Sequence, residues 1–219
     1  MKLVSVTPLA LPGIEVVRFA RFADRRGYFA ESYRRSDVAG DPTMAFLRST
    51  TFVQMNESWS RPSVIRGLHF QWDPFMGKLV RTCCGRMVDL FLDIRRGSPT
   101  HGKIAAYDMP AAPARDYSEW IWVPPGFAHG NFFTEATQIE YLCTGEHAPN
   151  SEACISPLAP DLDWSLCDGD LHSEFLSIAA SQTRVMSDKD RDGPTLAQWS
   201  EDERSACFVY EDQSPHPLP

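Results

Sequence analysis

The stretch "KLVRTCCGRMVDLFLDIR", residues 78–95, restricts the possible folds more than any other part of the chain. Val80, Thr82 and Cys84 share one parity, and after Gly85-Arg86 a second alternation places Val88, Leu90, Leu92 and Ile94 on one face, with Asp89 and Asp93 on the other. A repeat of two is what a strand with one buried face produces. Gly85-Arg86 reads as the turn of a hairpin joining two such strands. "GKIAAYDM", "EWIWVPPGFAHGNFF" and "TQIEYLC" continue the series, and "RGSPTHG" and "MPAAPARDYS" punctuate it. Many short antiparallel strands predict an all-β sandwich or barrel. Helical periodicity is weak until "TLAQWSEDERSACF", where Leu196, Trp199 and Cys207 are sparse, and "EDQSPHPLP" reads as a disordered or loosely docked terminus.

The chain has 219 residues, enough for one substantial core, and one large domain with a tail is expected. A net charge of -8 argues against a nonspecific nucleic-acid or anionic-membrane binder, since either needs a broad basic surface. An anionic small molecule would require arginine and lysine concentrated locally. The first residues, "MKLVSVTPLALPGIEVVRF", lack the apolar run of a signal peptide, and no later run is long enough to span a membrane, so a cytoplasmic location is expected. The six cysteines form no C-x-x-C pair, so neither disulfides nor a structural zinc is expected.

Histidine titrates near neutral pH, which makes the six histidines the natural candidates for acid–base work. His69 in "RGLHFQ" lies between bulky apolar residues. Taken alone, it reads equally as a core histidine with one ring nitrogen bonded to backbone. Its company argues for more: Arg66 precedes it by three residues and Lys78 follows by nine, on segments that read as neighbouring strands. Cations gathered in one cavity imply a bound anion or nearby carboxylates, because burying an unpaired charge is costly. A metal site is the main rival, since β-barrel metalloenzymes often carry H-x-H and a distant third histidine. His129 in "PPGFAHGN" suits the distant position, but "HFQ" has glutamine where the second histidine belongs. No metal is expected.

Taken together, "DRRGYFAESY", "FVQMNES", "RGLHFQ", "GKLVR", "DIRRGSPTHGK", "WVPPGFAHGNF" and "SDKD" resemble the dTDP-4-dehydrorhamnose 3,5-epimerase family, whose members epimerise nucleotide-linked 4-keto-6-deoxy sugars. The resemblance implies a cupin-type jelly roll with short peripheral helices, a homodimer exchanging N-terminal strands, and no cofactor. It runs from "DRRGYFAESY" to "SDKD" at 187–190, and one epimerase domain over residues 1–190 is expected, with 191–219 as a C-terminal extension, partly disordered or packed on the core. Carried over position by position, His69 matches the general base, Asp190 its paired carboxylate, and Tyr141 the proton donor on the opposite side of the sugar. Arg26, Glu31, Gln54, Asn56, Arg66, Lys78, His129, Glu152 and Lys189 match positions that bind the nucleotide sugar. Removing a hydrogen beside the 4-keto carbon gives an enolate, and a fixed cation at its oxygen lowers the barrier. Lys78 is the candidate for that role, and the arginine forks of Arg26 and Arg66 suit a diphosphate.

The expected reaction is inversion at carbon 3, carbon 5 or both of a dTDP-linked ketosugar, with CDP and GDP as alternative carriers. The alternatives are a ketoisomerase of the same fold and a non-catalytic sugar-nucleotide binder. The chain departs from the family pattern after Tyr141, where Leu142 replaces a lysine and Glu146-His147 replaces an aromatic pair, and at Met55, where an acidic residue is frequent. A specialised epimerase, acting at one carbon or on a differently decorated sugar, fits these departures.

Overall fold

The computed structural model describes residues 2–210. The strands β1 (Leu3–Pro8) and β2 (Glu15–Ala20) precede a small hairpin of β3 (Phe22–Asp24) and β4 (Gly27–Phe29), then α1 (Arg35–Gly40) and a 3-10 stretch at Pro42–Leu47. Next come β5 (Gln54–Ser60), β6 (Ile65–Gln71), β7 (Lys78–Cys84), β8 (Arg86–Asp93), β9 (Ile104–Pro110) and β10 (Tyr117–Val123). The strand series ends with β11 (Phe127–Phe133), β12 (Thr137–Cys143) and β13 (Glu152–Cys154), before α2 (Gly169–Ala180), α3 (Asp188–Arg191) and α4 (Leu196–Glu201). No helix among the described residues is long and apolar enough to cross a membrane.

The strands form a six-stranded sheet, β1-β2-β10-β7-β12-β5, and a five-stranded sheet, β13-β6-β11-β8-β9. Within each sheet the neighbouring strands run antiparallel. The sheets face one another across a core to which Val16, Val80, Ile121 and Ile139 contribute from one side and Met87, Phe91, Phe127 and Phe133 from the other. The outer face of the five-stranded sheet, with Leu68, Phe70, Val88, Leu90 and Leu92, is covered by Phe175 and Ile178 of α2 and by Leu196 and Trp199 of α4. The outer face of the six-stranded sheet packs Val17, Phe19, Leu79 and Trp120 against Val38, Met44 and Leu47. The expected all-β sandwich with short peripheral helices is present, and the two sheets stay separate rather than closing into one barrel.

Residues 78–95 depart from the expected hairpin. β7 pairs with β10 and β12, whereas β8 pairs with β9 and β11, so the two strands lie in opposite sheets. Gly85 makes the crossing between them. It has φ +78°, and a Cβ there would come within 2.3 Å of the Ala136 carbonyl oxygen, so only glycine fits. The face bearing Asp89 and Asp93 is also buried. It looks into the sandwich beside Phe91, where Asp93 accepts bonds from Arg95, Ser98 and Thr100. For the same reason β6 and β7, which carry His69 and Lys78, are facing strands and not neighbours.

Two helices are more regular than the weak periodicity of the sequence predicts. Leu171, Phe175 and Ile178 have the spacing of one helical face, and Asp168 caps α2 by accepting from the backbone N–H groups of Asp170 and Leu171. The sparse apolar residues of α4 are sufficient because they enter an aromatic cluster: Trp199 lies 4.7 Å from Phe70 and 5.8 Å from Trp72 between ring centroids. Phe208 joins that cluster, and Arg96 N–H bonds to its carbonyl. The tail is thereby packed on the core as far as Tyr210, and "EDQSPHPLP" lies outside the described residues. Thr195 and Gln198 form a capping box at the start of α4. Thr195→Ala is expected to lower unfolding free energy by about 1 kcal/mol in urea titration, the usual cost of losing such a cap.

Candidate active site

β6 and β11 are adjacent and place His69 directly opposite His129. The strands approach closely because two glycines meet: a Cβ on Gly67 would lie 2.6 Å from the Cα of Gly130. The pairing shifts register between His129 and Asn131, and such an irregularity re-aims nearby side chains.

His69 Nε2 lies 2.7 Å from Oδ1 of Asp190 on α3, and Oδ2 of Asp190 accepts from the Gly67 N–H at 3.2 Å. Burial pushes the Asp190 carboxyl upward, but its bonds to His69, the Gly67 N–H and Ser187 outweigh that effect and hold it below the ordinary carboxylate value. An ionised carboxylate only accepts, so Nε2 of His69 carries the proton and Nδ1 is left as the basic nitrogen. A second pair lies beside the first, with His129 Nε2 2.7 Å from Asp89 Oδ1 and both residues buried. Burial, aided by Lys78 and His69, lowers the His129 pKa against the opposing pull of Asp89 and so favours a neutral ring.

His69 borders two cavities. The inner one, about 20 Å³, is also lined by Gln71, Lys78, His129 and Glu152. The outer cleft, about 450 Å³, takes its titratable lining from Arg61, Arg66, Lys189 and Asp190 together with His69. The cationic cluster expected from sequence is therefore divided: Lys78 faces the inner pocket and Arg66 the cleft, with His69 between them. Lys78 has no hydrogen-bond or ion-pair partner among the described residues, and burial pushes its pKa down. Arg66 is anchored by its Nε to Ser60 Oγ at 3.0 Å.

Tyr141 lies on β12, opposite Asn56 of β5 and Val80 of β7. It packs against the inter-sheet core and lines neither cavity. Burial raises its pKa, partly offset by a hydrogen bond from Asn56, and its phenol stays protonated near neutral pH. Gln54 donates to Asn56 Oδ1 at 2.9 Å. Glu152, on β13, accepts from Lys189 and from His147. Burial raises the Glu152 pKa, but Lys189, His69 and His147 bring it below the usual value. Arg26 and Glu31 are not brought to either cavity: Arg26 sits on the exposed turn between β3 and β4, paired with Asp24, and Glu31 pairs with Arg34.

Gln71 explains why "HFQ" departs from H-x-H. Its amide donates to the carbonyls of Pro74 and Glu146 and accepts from the Ala148 N–H, which fastens two loops beside the pocket. Sequence reasoning missed this role, and it missed Asp89. The available signal for Asp89 was an aspartate inside the apolar run "MVDLFLD".

The family model described as dTDP-4-dehydrorhamnose 3,5-epimerase matches residues 8–198. The chain belongs to the dTDP-4-dehydrorhamnose 3,5-epimerase family. It is 38% identical over 174 residues to the dTDP-4-dehydrorhamnose 3,5-epimerase of Pseudomonas aeruginosa, a match covering 77% of this chain and 90% of that protein. Its fold is similar to a crystal structure of dTDP-6-deoxy-D-glucose-3,5-epimerase from Legionella pneumophila in complex with dTDP-4-keto-L-rhamnose. That similarity has a TM-score of 0.75 and 27% identity, with 94% of this chain and 98% of the other covered. The dTDP-4-dehydrorhamnose 3,5-epimerase from Sulfolobus tokodaii is similar with a TM-score of 0.70 and 31% identity, over 90% of this chain and 97% of its own. Membership places the chain among isomerases of the epimerase type, and every candidate site residue from Arg26 to Asp190 falls within the matched span.

Proposed function

We propose that this family member inverts carbon 3, carbon 5 or both of a nucleotide-diphosphate-linked 4-keto-6-deoxyhexose, as a cofactor-independent epimerase of deoxysugar biosynthesis on a cupin-type jelly roll. The observation that carries the reading is the His69–Asp190 pair set beside an unpaired lysine, with a phenol on the facing sheet. His69 Nδ1 removes the hydrogen next to the keto carbon, and Asp190 stabilises the imidazolium that results. Negative charge gathers on the 4-oxygen, where Lys78 meets it. Tyr141 returns a proton from the other side. Its position on the six-stranded sheet, with His69 on the five-stranded sheet, supports delivery from the opposite side. Arg66 and Lys189 border the outer cleft, which takes the diphosphate, His129 borders the inner pocket, and Gln54, Asn56 and Glu152 orient the surrounding groups.

A homodimer is part of the proposal. In it the β3–β4 hairpin of one protomer, with Arg26 on its turn and Glu31 just beyond, reaches the cleft of the other to help hold the nucleotide. Phe22, Tyr28 and Phe29 of that hairpin are each at least 50% exposed, and an apolar surface of this kind is commonly covered in an assembly. dTDP is the proposed carrier, with CDP and GDP tested alongside.

Incubation with dTDP-4-keto-6-deoxyglucose in heavy water, followed by NMR, tests the reading, since deuterium entering at carbon 3, carbon 5 or both names the reaction. Binding without exchange at either carbon overturns it. Tyr141→Phe is expected to slow inversion by about 10²-fold, within the usual contribution of a general acid, while proton removal persists as exchange with retained configuration. Inversion at the parent rate would show that another group supplies the second proton.

A further inference from the structure

Lys78 is unpaired although a carboxylate, Glu152, borders the same pocket. Opposite charges in a partly dehydrated pocket attract strongly, so their separation needs a cause. The charged and titratable groups around Lys78 are His69, His129 with its partner Asp89, Cys143 and Glu152. Asp89 is tied to His129 through Oδ1, with Oδ2 buried and unpartnered among the described residues and no ion pair to Lys78, and Cys143 Sγ accepts from Asn56 at 3.7 Å. Both oxygens of Glu152 are also occupied, Oε1 by Lys189 Nζ and Oε2 by His147 Nε2 at 3.0 Å. Without that second bond, Oε2 would be free to turn toward the ammonium.

His147 is placed firmly for a side chain half exposed to solvent. Its own N–H donates to Gln54 Oε1 at 2.9 Å. The carbonyl before it and the N–H after it are both bound by the Gln71 amide, at 2.9 and 2.8 Å. Gly145 fits against Pro74, where an added Cβ would lie 2.8 Å from the ring, so the loop is also held by close packing. We propose that His147 is a positioning residue: together with Lys189 it restrains the Glu152 carboxylate and so keeps the Lys78 ammonium free for the anion formed in the pocket. The inference rests on the reading of Lys78 as the group that meets the enolate. His147 touches no reacting atom in this account.

The test is a set of variants assayed by deuterium exchange in the full-length protein, each checked for the parent melting temperature and far-UV spectrum. His147→Phe removes the donor, and its kcat is expected to fall by about tenfold with KM changed by less than about twofold, the pattern of an interaction felt only in the transition state. Burial already lowers the Lys78 pKa, and a released Glu152 would raise it. Activity that needs the ammonium is lost as pH rises through that pKa, so the alkaline limb of kcat should move to higher pH in His147→Phe. His147→Gln, which keeps an N–H donor, should recover most of the loss. In a Glu152→Gln background, where no charge remains to be restrained, adding His147→Phe should cost little further. An unchanged kcat and pH limb in His147→Phe, or an equal loss in the Glu152→Gln background, overturns the inference. Exchange near the parent rate in Lys78→Met overturns the underlying reading of Lys78; exchange slowed about 10²-fold or more in Lys78→Met beside a normal His147→Phe removes the positioning role alone.

Discussion

His69→Asn is expected to abolish deuterium exchange at every sugar carbon, with a loss of about 10²–10⁴-fold, the contribution of a well-placed general base. Asparagine preserves approximate size and can still donate to Asp190, so the carboxylate keeps a partner and α3 keeps its anchor. What disappears is the basic Nδ1, because an amide does not accept a proton near neutral pH. Nucleotide-sugar binding, followed by calorimetry, is expected to stay within a few-fold of the parent. The pairing of exchange lost with binding kept is what separates a base from a packing residue. Exchange near the parent rate would mean that another group removes the proton.

Lys78→Met is expected to reduce kcat by about 10²–10³-fold, roughly 2.7–4 kcal/mol of barrier, as for the loss of one fixed donor at a developing oxyanion. Methionine retains most of the side-chain length and removes the charge with its N–H donors. Lys78 is withdrawn from bulk water, faces the pocket that His69 and His129 also line, and has no partner among the described residues. A partly buried cation without a bonded counterion is unfavourable in the resting protein, which fits the proposed role of meeting an anion formed during turnover. KM should change far less than kcat. A variant with normal kcat and weakened KM would move Lys78 to ground-state binding of the diphosphate. Replacing the lysine should also raise stability slightly in urea titration, because the desolvated charge has been removed.

Much of the site was legible in the sequence because its motifs are local. "RGLHFQ" and "SDKD" supplied His69 and Asp190, and the structure joins them at 2.7 Å. Parity correctly separated Leu90 from Asp89 along β8 but said nothing of what each faced. Asp89, apparently a solvated strand residue, lies inside the sandwich against His129. Gln71, read only as a missing metal ligand, proves to be a clamp on two loops, a role created by backbone groups 75 and 77 residues away as well as by nearby Pro74. His147 was noted only as a departure from an aromatic pair, since its partner Glu152 is recognisable only once β13 lies beside β6.

By itself the sequence determined an all-β architecture of short alternating strands, a net charge of -8, and a set of acid–base and cationic residues in the order of a known family. The first follows from side-chain period and the second from composition, whereas the site residues follow from the resemblance of short local motifs to that family. Tertiary structure alone decided that β7 and β8 part into opposite sheets at Gly85, that Lys78 faces His69 across the sandwich, and that Arg66 and Lys78 border different cavities. Alternation assigns each residue to a face without naming the strand that covers it, because the backbone hydrogen bonds that join strands are alike for every sequence. The choice of partner was left to packing between distant segments.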